Sequence, residues 1–194
     1  MMRKKGTVYW LTGLSGAGKT TVGFELVKIL ENQGKDVVRL DGDLLREVFG
    51  STDYTLEGRK KISFQYSRMC KMLADQGFDV VACVIAMFDE VRKWNRDNIE
   101  NYIEVYLKVP IEKLIERDQK GLYTKVLNKE AANVMGMDVP FEEPKEPSLI
   151  IDNGGALSPR EAAERITVNE SSYFGSGTGN KTKKIYEESP KGNA

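Results

Sequence analysis

The segment Gly13–Thr20 restricts the folds open to this chain more than any other part of the sequence. It reads GLSGAGKT, matches the pattern G-x-x-x-x-G-K-[ST], follows the apolar run Val8–Leu11 and precedes a helical pattern. A loop in this strand-to-helix position turns its backbone N–H groups inward at the positive end of a helix, where polyphosphate charge is stabilised. The segment therefore predicts a nucleoside triphosphate site.

Individual residues of this loop have expected roles in holding the triphosphate. Lys19 supplies a positive charge that can follow the β- and γ-phosphates, and the Thr20 hydroxyl is the expected ligand of Mg²⁺. The predicted phosphate contacts are Gly13, Ser15, Gly16, Ala17, Gly18, Lys19, Thr20 and Thr21. An ordinary glycine-rich turn is the alternative, and the agreement of spacing, Lys-Thr pair and context argues against it.

The composition excludes several classes of partner. The length of 194 residues suits one domain, and 29 Lys and Arg residues against 29 Asp and Glu residues give no formal net charge. Such a balance argues against a general binder of nucleic acid or of membrane surfaces, so we expect small-molecule partners. No apolar stretch approaches the ~18 residues of a membrane span, and the predicted location is cytoplasmic.

Two residue types limit the chemistry. The chain has no histidine, so proton transfer must use a carboxylate or water. Cys70 and Cys83 lie in apolar surroundings without C-x-x-C spacing, which predicts buried, reduced thiols and neither a disulfide nor a metal site.

Apolar, β-branched runs alternate with helical patterns along the chain. This alternation predicts an α/β fold, a doubly wound sheet of five parallel strands with flanking helices. The strands are predicted over Thr7–Leu11, Val37–Leu40, Val80–Ile85, Ile103–Leu107 and Leu149–Ile151, and the helices over Thr20–Asn32, Leu56–Gln76, Ile111–Arg117 and from a capping box at Ser158 to about Asn169.

The remaining segments indicate the domain organisation. Residues 119–147 show no clear strand and are rich in Lys, Glu and Pro, which predicts a lid that closes over the nucleotide; a long surface connection is the alternative. Residues 172–194 lack apolar periodicity. We therefore predict one domain over 1–171 with a lid at about 119–147, followed by a flexible tail over 172–194.

Further motifs point to one branch of the phosphate-loop proteins. With the phosphate loop, Leu40–Arg46 (LDGDLLR) resembles the adenylyl-sulfate kinase family, which reads L-D-G-D-x-x-R here. Similar likenesses in order and spacing are Glu104–Tyr106 (E-V-Y), Pro110–Glu112 (P-L-E), Arg117–Tyr123 (R-D-P-K-G-L-Y) and Gly136–Glu142 (G-I-D-D-P-Y-E). The resemblance implies a P-loop kinase that uses ATP and Mg²⁺ to phosphorylate the ribose 3′-hydroxyl of a nucleotide with a 5′ mixed anhydride.

Two acids are the expected centre of the chemistry. Asp41 and Asp43 follow the second strand at its carboxyl end, where open α/β sheets bind ligands. Asp43 is expected to orient the acceptor hydroxyl and take its proton, and Asp41 to help hold Mg²⁺ through water, although the two roles could be exchanged. The alternative for Asp41 is a simple cap of the following helix.

The resemblance also assigns residues to each substrate. Arg117 and Lys120 are expected on the ATP side, with Asp118 beside the adenine; solvated surface charges are the alternative. The predicted acceptor-binding residues are Asp43, Arg46, Tyr54, Arg59, Ile85 and Lys120. Arg46 and Arg59 are expected to meet the anionic 5′ end, or else to be surface arginines.

The departures from the family pattern concentrate on the acceptor side. Ile62 and Phe64 replace an asparagine and an arginine, Ile85–Asp89 (IAMFD) replaces I-S-P-Y-R, and Val134 replaces the lid phenylalanine that helps to sandwich the acceptor base, whereas Tyr54 keeps the other aromatic. Loss of one stacking wall costs about 1–3 kcal/mol. Adenylyl sulfate is the family default; the alternative acceptor is that of cytidine diphosphoramidate kinase, a relative in capsule assembly.

Other functions remain to be weighed. Trp94–Asn98 forms either a replacement acceptor pocket or a helix packed on the sheet. A GTP-binding switch should carry an N-K-x-D segment, and Asn180–Lys183 lacks the acid. A non-catalytic nucleotide sensor would also explain an altered acceptor wall. Members of the family often pair, so a homodimer is an expectation from the resemblance.

Overall fold

The computed structural model describes residues 4–118 and 121–173, and a parallel sheet of five strands forms its centre. The strands run in the order β2-β3-β1-β4-β5, and every pairing is parallel. Their bounds are β1 Val8–Thr12, β2 Val37–Asp41, β3 Asp79–Cys83, β4 Tyr102–Lys108 and β5 Leu149–Asp152. The predicted sheet is confirmed, with β3 ending two residues earlier than expected.

The helices cover both faces of this sheet. They are α1 Lys19–Asn32, α2 Gly42–Val48, α3 Leu56–Asp75, α4 Asp89–Asn98, α5 Ile111–Arg117, α6 Leu122–Leu127 and α7 Pro159–Tyr173. One layer contains α1 packed on α7, and the other contains α3 packed on α4. The buried strand residues between the layers, such as Tyr9, Trp10 and Ile103, form the core, as the continuous apolar runs predict.

Four of these helices were predicted, and α7 begins as its capping box indicates. The backbone N–H of Glu161 donates to Ser158 Oγ at 3.2 Å, and the Ser158 N–H donates to Glu161 Oε2 at 2.7 Å. The helix continues to Tyr173, four residues beyond the expected end near Asn169. Of the predicted tail, residues 174–194 lie outside the described part of the chain.

Helices α2, α4 and α6 were not predicted as elements, because each is short and its boundaries depend on side-chain contacts. The side chain of Asp41 accepts the N–H of Asp43 at 3.0 Å and so caps α2. Asp118 caps α6 by accepting the N–H groups of Tyr123 and Thr124 at 3.0 and 2.8 Å. Part of the predicted lid is therefore helical.

The phosphate-loop helix lies unusually close to the sheet. A side chain at Gly23 of α1 would place its Cβ 2.3 Å from Cys83 Sγ, so only glycine permits this packing. Cys70 and Cys83 are both buried and unbridged, as predicted. Within residues 4–118 and 121–173, no helix combines the length and apolarity needed to cross a bilayer.

Candidate active site

A cavity of about 800 Å³ opens at the carboxyl edge of the sheet. The loops that follow β1, β2, β3 and β5 meet there, together with the amino-terminal half of α3 and part of the predicted lid. Its walls therefore come from segments far apart in sequence, which is the usual arrangement for ligand sites in open α/β sheets.

The phosphate loop forms one end of this cavity. Gly16 and Gly18 have φ values of 76° and 89°, a left-handed conformation that glycine adopts without strain. The Lys19 ammonium donates to the carbonyl oxygens of Gly13 and Leu14 at 2.9 and 2.7 Å, which holds its charge over the loop. Of the other predicted phosphate contacts, Ser15, Gly16, Gly18, Thr20 and Thr21 also line the cavity, and Ala17 is buried.

Asn153 and Tyr123, which were not predicted to contact the phosphate loop, donate hydrogen bonds to its carbonyl oxygens. Asn153, directly after β5, donates its Nδ2 to the Ala17 carbonyl at 2.8 Å, and the Tyr123 hydroxyl donates to the Ser15 carbonyl at 2.8 Å. A Cβ at Gly18 would lie 2.6 Å from Asn153 Nδ2, so the third loop glycine makes room for this contact. The position of Asn153 at the carboxyl end of a strand is the signal that could have indicated it.

The structure brings Thr20, Asp41 and Asp43 together. The Thr20 hydroxyl donates to Asp41 Oδ2 at 2.9 Å, while Oδ1 of the same carboxylate caps α2. The interpretation of Asp41 as a helix cap is therefore confirmed, and its role beside a metal ion stays a prediction. Asp43 lies in the first turn of α2 and lines the cavity. Tyr66 donates its hydroxyl to the Gly42 carbonyl at 3.1 Å and supports the start of this helix.

The donor set at this point fits Mg²⁺. A threonine hydroxyl beside a carboxylate offers hard oxygen ligands, and Mg²⁺ commonly takes one or two protein oxygens plus water and substrate phosphates. Among the described residues, no cluster of three or more His, Cys, Asp or Glu side chains forms a separate metal site.

The Tyr54 ring lies close to two arginines, all three of which were predicted to bind the acceptor. The guanidinium carbons of Arg46 and Arg59 lie 4.3 and 5.3 Å from the centre of its ring. Arg46 also donates to the Asp53 carbonyl at 3.0 Å, and Arg59 donates to the carbonyls of Tyr54 and Asn133. Both arginines line the cavity, and Tyr54 stands half-exposed beside them. Burial, followed by the charge of Arg46, lowers the pKa of Arg59.

The altered positions divide into two groups. Ile62 and Ile85 line the cavity, as do Ala86 and Phe88, so apolar side chains form part of a wall to which α3 also contributes Arg59 and Ser63. Phe64 and Val134 do not line it; the Phe64 ring lies 5.8 Å from the Arg68 guanidinium carbon. The expectation that position 64 forms part of the acceptor wall is therefore wrong for this cavity, because α3 turns that residue toward Arg68.

Asp89, where the family pattern has an arginine, forms ion pairs instead. Its carboxylate contacts the buried Arg92 and also Lys145, with 3.1 Å between Lys145 Nζ and Asp89 Oδ2. Glu142 in turn accepts the Asp89 N–H, so the exit of the predicted lid is attached to the loop that carries Ile85.

Trp94–Asn98 does not form the replacement pocket. These residues belong to α4, which packs on α3 and β4, and none of them lines the cavity. The buried Asn95 donates to the Tyr102 hydroxyl at 3.2 Å, and Arg96 pairs with Glu104 at 2.6 Å. The alternative interpretation, a helix packed on the sheet, is confirmed.

Two residues predicted to lie on the ATP side, Arg117 and Asp118, line the same cavity. Arg117, the last residue of α5, donates to the Asn153 carbonyl at 2.9 Å and lines the cavity beside Gly155 and Leu157. Asp118 also lines it and caps α6. Lys120, predicted for both substrates, lies outside the described residues.

Comparisons with known proteins found relatives that match most of this chain. The family model for adenylylsulphate kinase matches residues 5–152. A cytidine diphosphoramidate kinase of Campylobacter jejuni is 42% identical over 165 residues, covering 85% of this chain and 96% of the relative. A probable adenylyl-sulfate kinase of Pyrococcus abyssi is 35% identical, covering 84% and 93%. The Mycobacterium tuberculosis APS kinase in complex with AMPPNP and APS superimposes with a TM-score of 0.79 at 30% identity, covering 84% and 96%.

Proposed function

The chain belongs to the adenylylsulphate kinase family, and from this premise we propose that it phosphorylates the ribose 3′-hydroxyl of a nucleotide with a 5′ mixed anhydride, preferring cytidine diphosphoramidate. It is a phosphotransferase that acts on an alcohol group, as its curated relatives are. A GTP-binding switch and a non-catalytic sensor are therefore set aside.

The donor half of the site suits transfer from ATP. The loop amides at the start of α1 and the Lys19 ammonium supply positive charge for the β- and γ-phosphates. Thr20 and Asp41 would hold Mg²⁺, which when bound neutralises charge on the transferring phosphoryl group. Arg117 supplies a planar cation near the position expected for the base.

Asp43 is the better candidate for the base that receives the hydroxyl proton. Both oxygens of Asp41 already accept hydrogen bonds, from Thr20 and from the Asp43 N–H. Asp43 lines the cavity, and its backbone is fixed by that same cap. A carboxylate in this place can orient the 3′-hydroxyl toward the γ-phosphorus and take its proton during transfer. Asp41 then acts on the metal side.

The apolar wall of Ile62, Ile85 and Phe88 is the observation that carries the acceptor assignment. Apolar side chains offer no hydrogen-bond donor to the third oxygen of a terminal sulfate, and a polar atom left without a partner against them costs free energy. A phosphoramidate terminus carries the same single negative charge on two oxygens and has an amino group in place of the third acceptor oxygen, so it fits such a wall more readily. The similarity to the cytidine diphosphoramidate kinase, over nearly its whole length, supports the same choice.

The test is a comparison of kcat/KM for cytidine diphosphoramidate and adenylyl sulfate at saturating ATP and Mg²⁺. We expect a preference of at least about tenfold for the cytidine compound, or about 1.4 kcal/mol in transition-state binding. Cytidine diphosphate, assayed in parallel, separates the contribution of the base from that of the amidate. Lys19→Ala, which should abolish transfer, is the negative control. Equal rates or a preference for adenylyl sulfate would overturn the acceptor assignment and leave the kinase class intact.

A further inference from the structure

Arg39 does not itself line the cavity, but it lies next to Asp41, which does. It lies on the edge strand β2, with its guanidinium carbon 4.0 Å from the centre of the Phe24 ring of α1. Its Nη1 lies 3.3 Å from Asp41 Oδ2, the oxygen that also accepts the Thr20 hydroxyl at 2.9 Å. The Arg39 side chain is only 20% exposed and that of Asp41 13%, so water screens this pair weakly.

The charge of Asp41 is thus partly compensated before a metal arrives. The nearby Cys83 adds no negative charge, because burial raises the pKa of its thiol to about 12. A guanidinium within hydrogen-bonding distance of a carboxylate reduces the attraction of that carboxylate for a cation placed on its other side. Removing Arg39 would leave Asp41 held by Thr20 and by the Asp43 N–H, so its position would persist while its charge became uncompensated.

We propose that Arg39 is a positioning residue that weakens divalent-cation binding at Thr20 and Asp41 and so sets the Mg²⁺ concentration at which the nucleotide complex forms. The proposal rests on the nucleotide-binding half of the proposed function and is independent of the acceptor. The Phe24 ring packs against the same guanidinium, so Phe24 provides a packing control for the charge of Arg39.

The experiment measures the binding of Mn²⁺, a paramagnetic probe of the Mg²⁺ position, to the full chain saturated with a non-hydrolysable ATP analogue. Electron paramagnetic resonance gives the dissociation constant of Mn²⁺ without turnover. We expect Arg39→Met to lower this constant by about threefold to tenfold, since it removes one unit charge from a weakly screened position. The difference should shrink as ionic strength rises.

Two further variants separate charge from packing. Arg39→Lys keeps the charge and should bind Mn²⁺ with nearly the affinity of the unmodified protein. Phe24→Leu removes the stacked ring and keeps Arg39, so it should lower the melting temperature without a comparable change in Mn²⁺ affinity. An unchanged or weaker Mn²⁺ affinity in Arg39→Met, or an equal gain in Phe24→Leu, would overturn the proposal. Because no acceptor is present, failure of the acceptor assignment would not affect this result.

Discussion

Asp41 and Asp43 are two residues apart, and their surroundings give them different tasks. Both line the cavity, but Asp41 is also hydrogen-bonded to Thr20, paired with Arg39 and engaged as the cap of α2. Replacing Asp43 by Asn should lower kcat by about 10²–10⁴-fold, because the amide cannot take the hydroxyl proton, and leave the Kd of ATP nearly unchanged. Rapid-quench assays and equilibrium titration measure the two quantities. Turnover at the unmodified rate would remove Asp43 from the mechanism.

Ile62 offers a residue-scale test of acceptor choice. Ile62→Asn introduces an amide on the apolar wall and should raise kcat/KM for adenylyl sulfate, relative to cytidine diphosphoramidate, by about fivefold to tenfold, the effect of one net hydrogen bond. Ile62→Leu keeps the wall apolar and serves as the matched control. A shift of the same size in both variants would indicate a packing effect instead.

The residues of the site differ in how readily the sequence reveals them. The Gly13–Thr20 loop and the two acids are read from contiguous motifs, because each must present its groups from one short turn. Asn153 and Tyr123 contact loop residues that lie 136 and 108 positions away in the sequence, so these contacts depend on the tertiary fold, and the place of Asn153 after a strand indicates only that it lies at the ligand edge of the sheet.

At the scale of elements, the hydrogen bond by which Tyr123 of α6 holds the phosphate loop can be tested directly. Tyr123→Phe removes the hydrogen bond from α6 to the Ser15 carbonyl and should weaken ATP binding by about fivefold, or roughly 1 kcal/mol. Tyr102→Phe removes a buried hydroxyl on β4, which accepts from Asn95, and should lower stability without affecting ATP. Isothermal titration and thermal unfolding distinguish the two. Equal ATP affinities in the unmodified protein and in both variants would contradict a contribution of this hydrogen bond to ATP binding.

Helix α4 is attached to the sheet by a buried ion pair. Arg92 is 1% exposed and has its Nε 3.6 Å from Glu104 Oε1, while Asp89 contacts its other end. Arg92→Leu should reduce the free energy of unfolding by about 1–3 kcal/mol, because the Oε1 side of Glu104 loses a buried partner while Arg96 still pairs with Oε2. The double variant with Glu104→Leu should recover part of that loss in urea unfolding. A double variant no more stable than Arg92→Leu would show that packing, and not charge, dominates there.

The same helix explains where prediction of elements fails. The central strands β1, β3 and β4 are largely apolar runs buried on both faces, so their positions follow from composition, whereas the edge strands β2 and β5 are partly exposed. In α4 the buried residues are Val91, Arg92 and Asn95, and two polar side chains inside the core give no apolar period to detect. Helices α2 and α6 have 7 and 6 residues, too few for a period of 3.6 to become visible, and neither follows a proline such as Pro110, which marks the start of the equally short α5.

For the molecule as a whole, the end of the domain is the sharpest open prediction. Tyr173 contacts the Ser148 carbonyl, and Glu170 pairs with Lys35 at 2.7 Å, so the last turns of α7 are attached to the sheet. A chain that ends after Tyr173 should keep its melting temperature within about 2 °C and its kcat/KM, whereas one that ends after Asn169 should melt lower. Calorimetry and assay of both would decide. Loss of activity in the longer form would contradict a domain that ends near residue 171. The homodimer also stays a prediction, for light scattering to test.

The two ends of the cavity are carried by different stretches of chain, and this has an evolutionary consequence. In the proposed function, contacts to ATP come from the turns after β1 and β5, whereas the apolar acceptor wall comes from α3 and the turn after β3. Mutations in one stretch can therefore accumulate while the other is conserved by selection. A protein lineage can therefore evolve specificity for a new metabolite while the residues that bind its energy-rich cosubstrate stay unchanged.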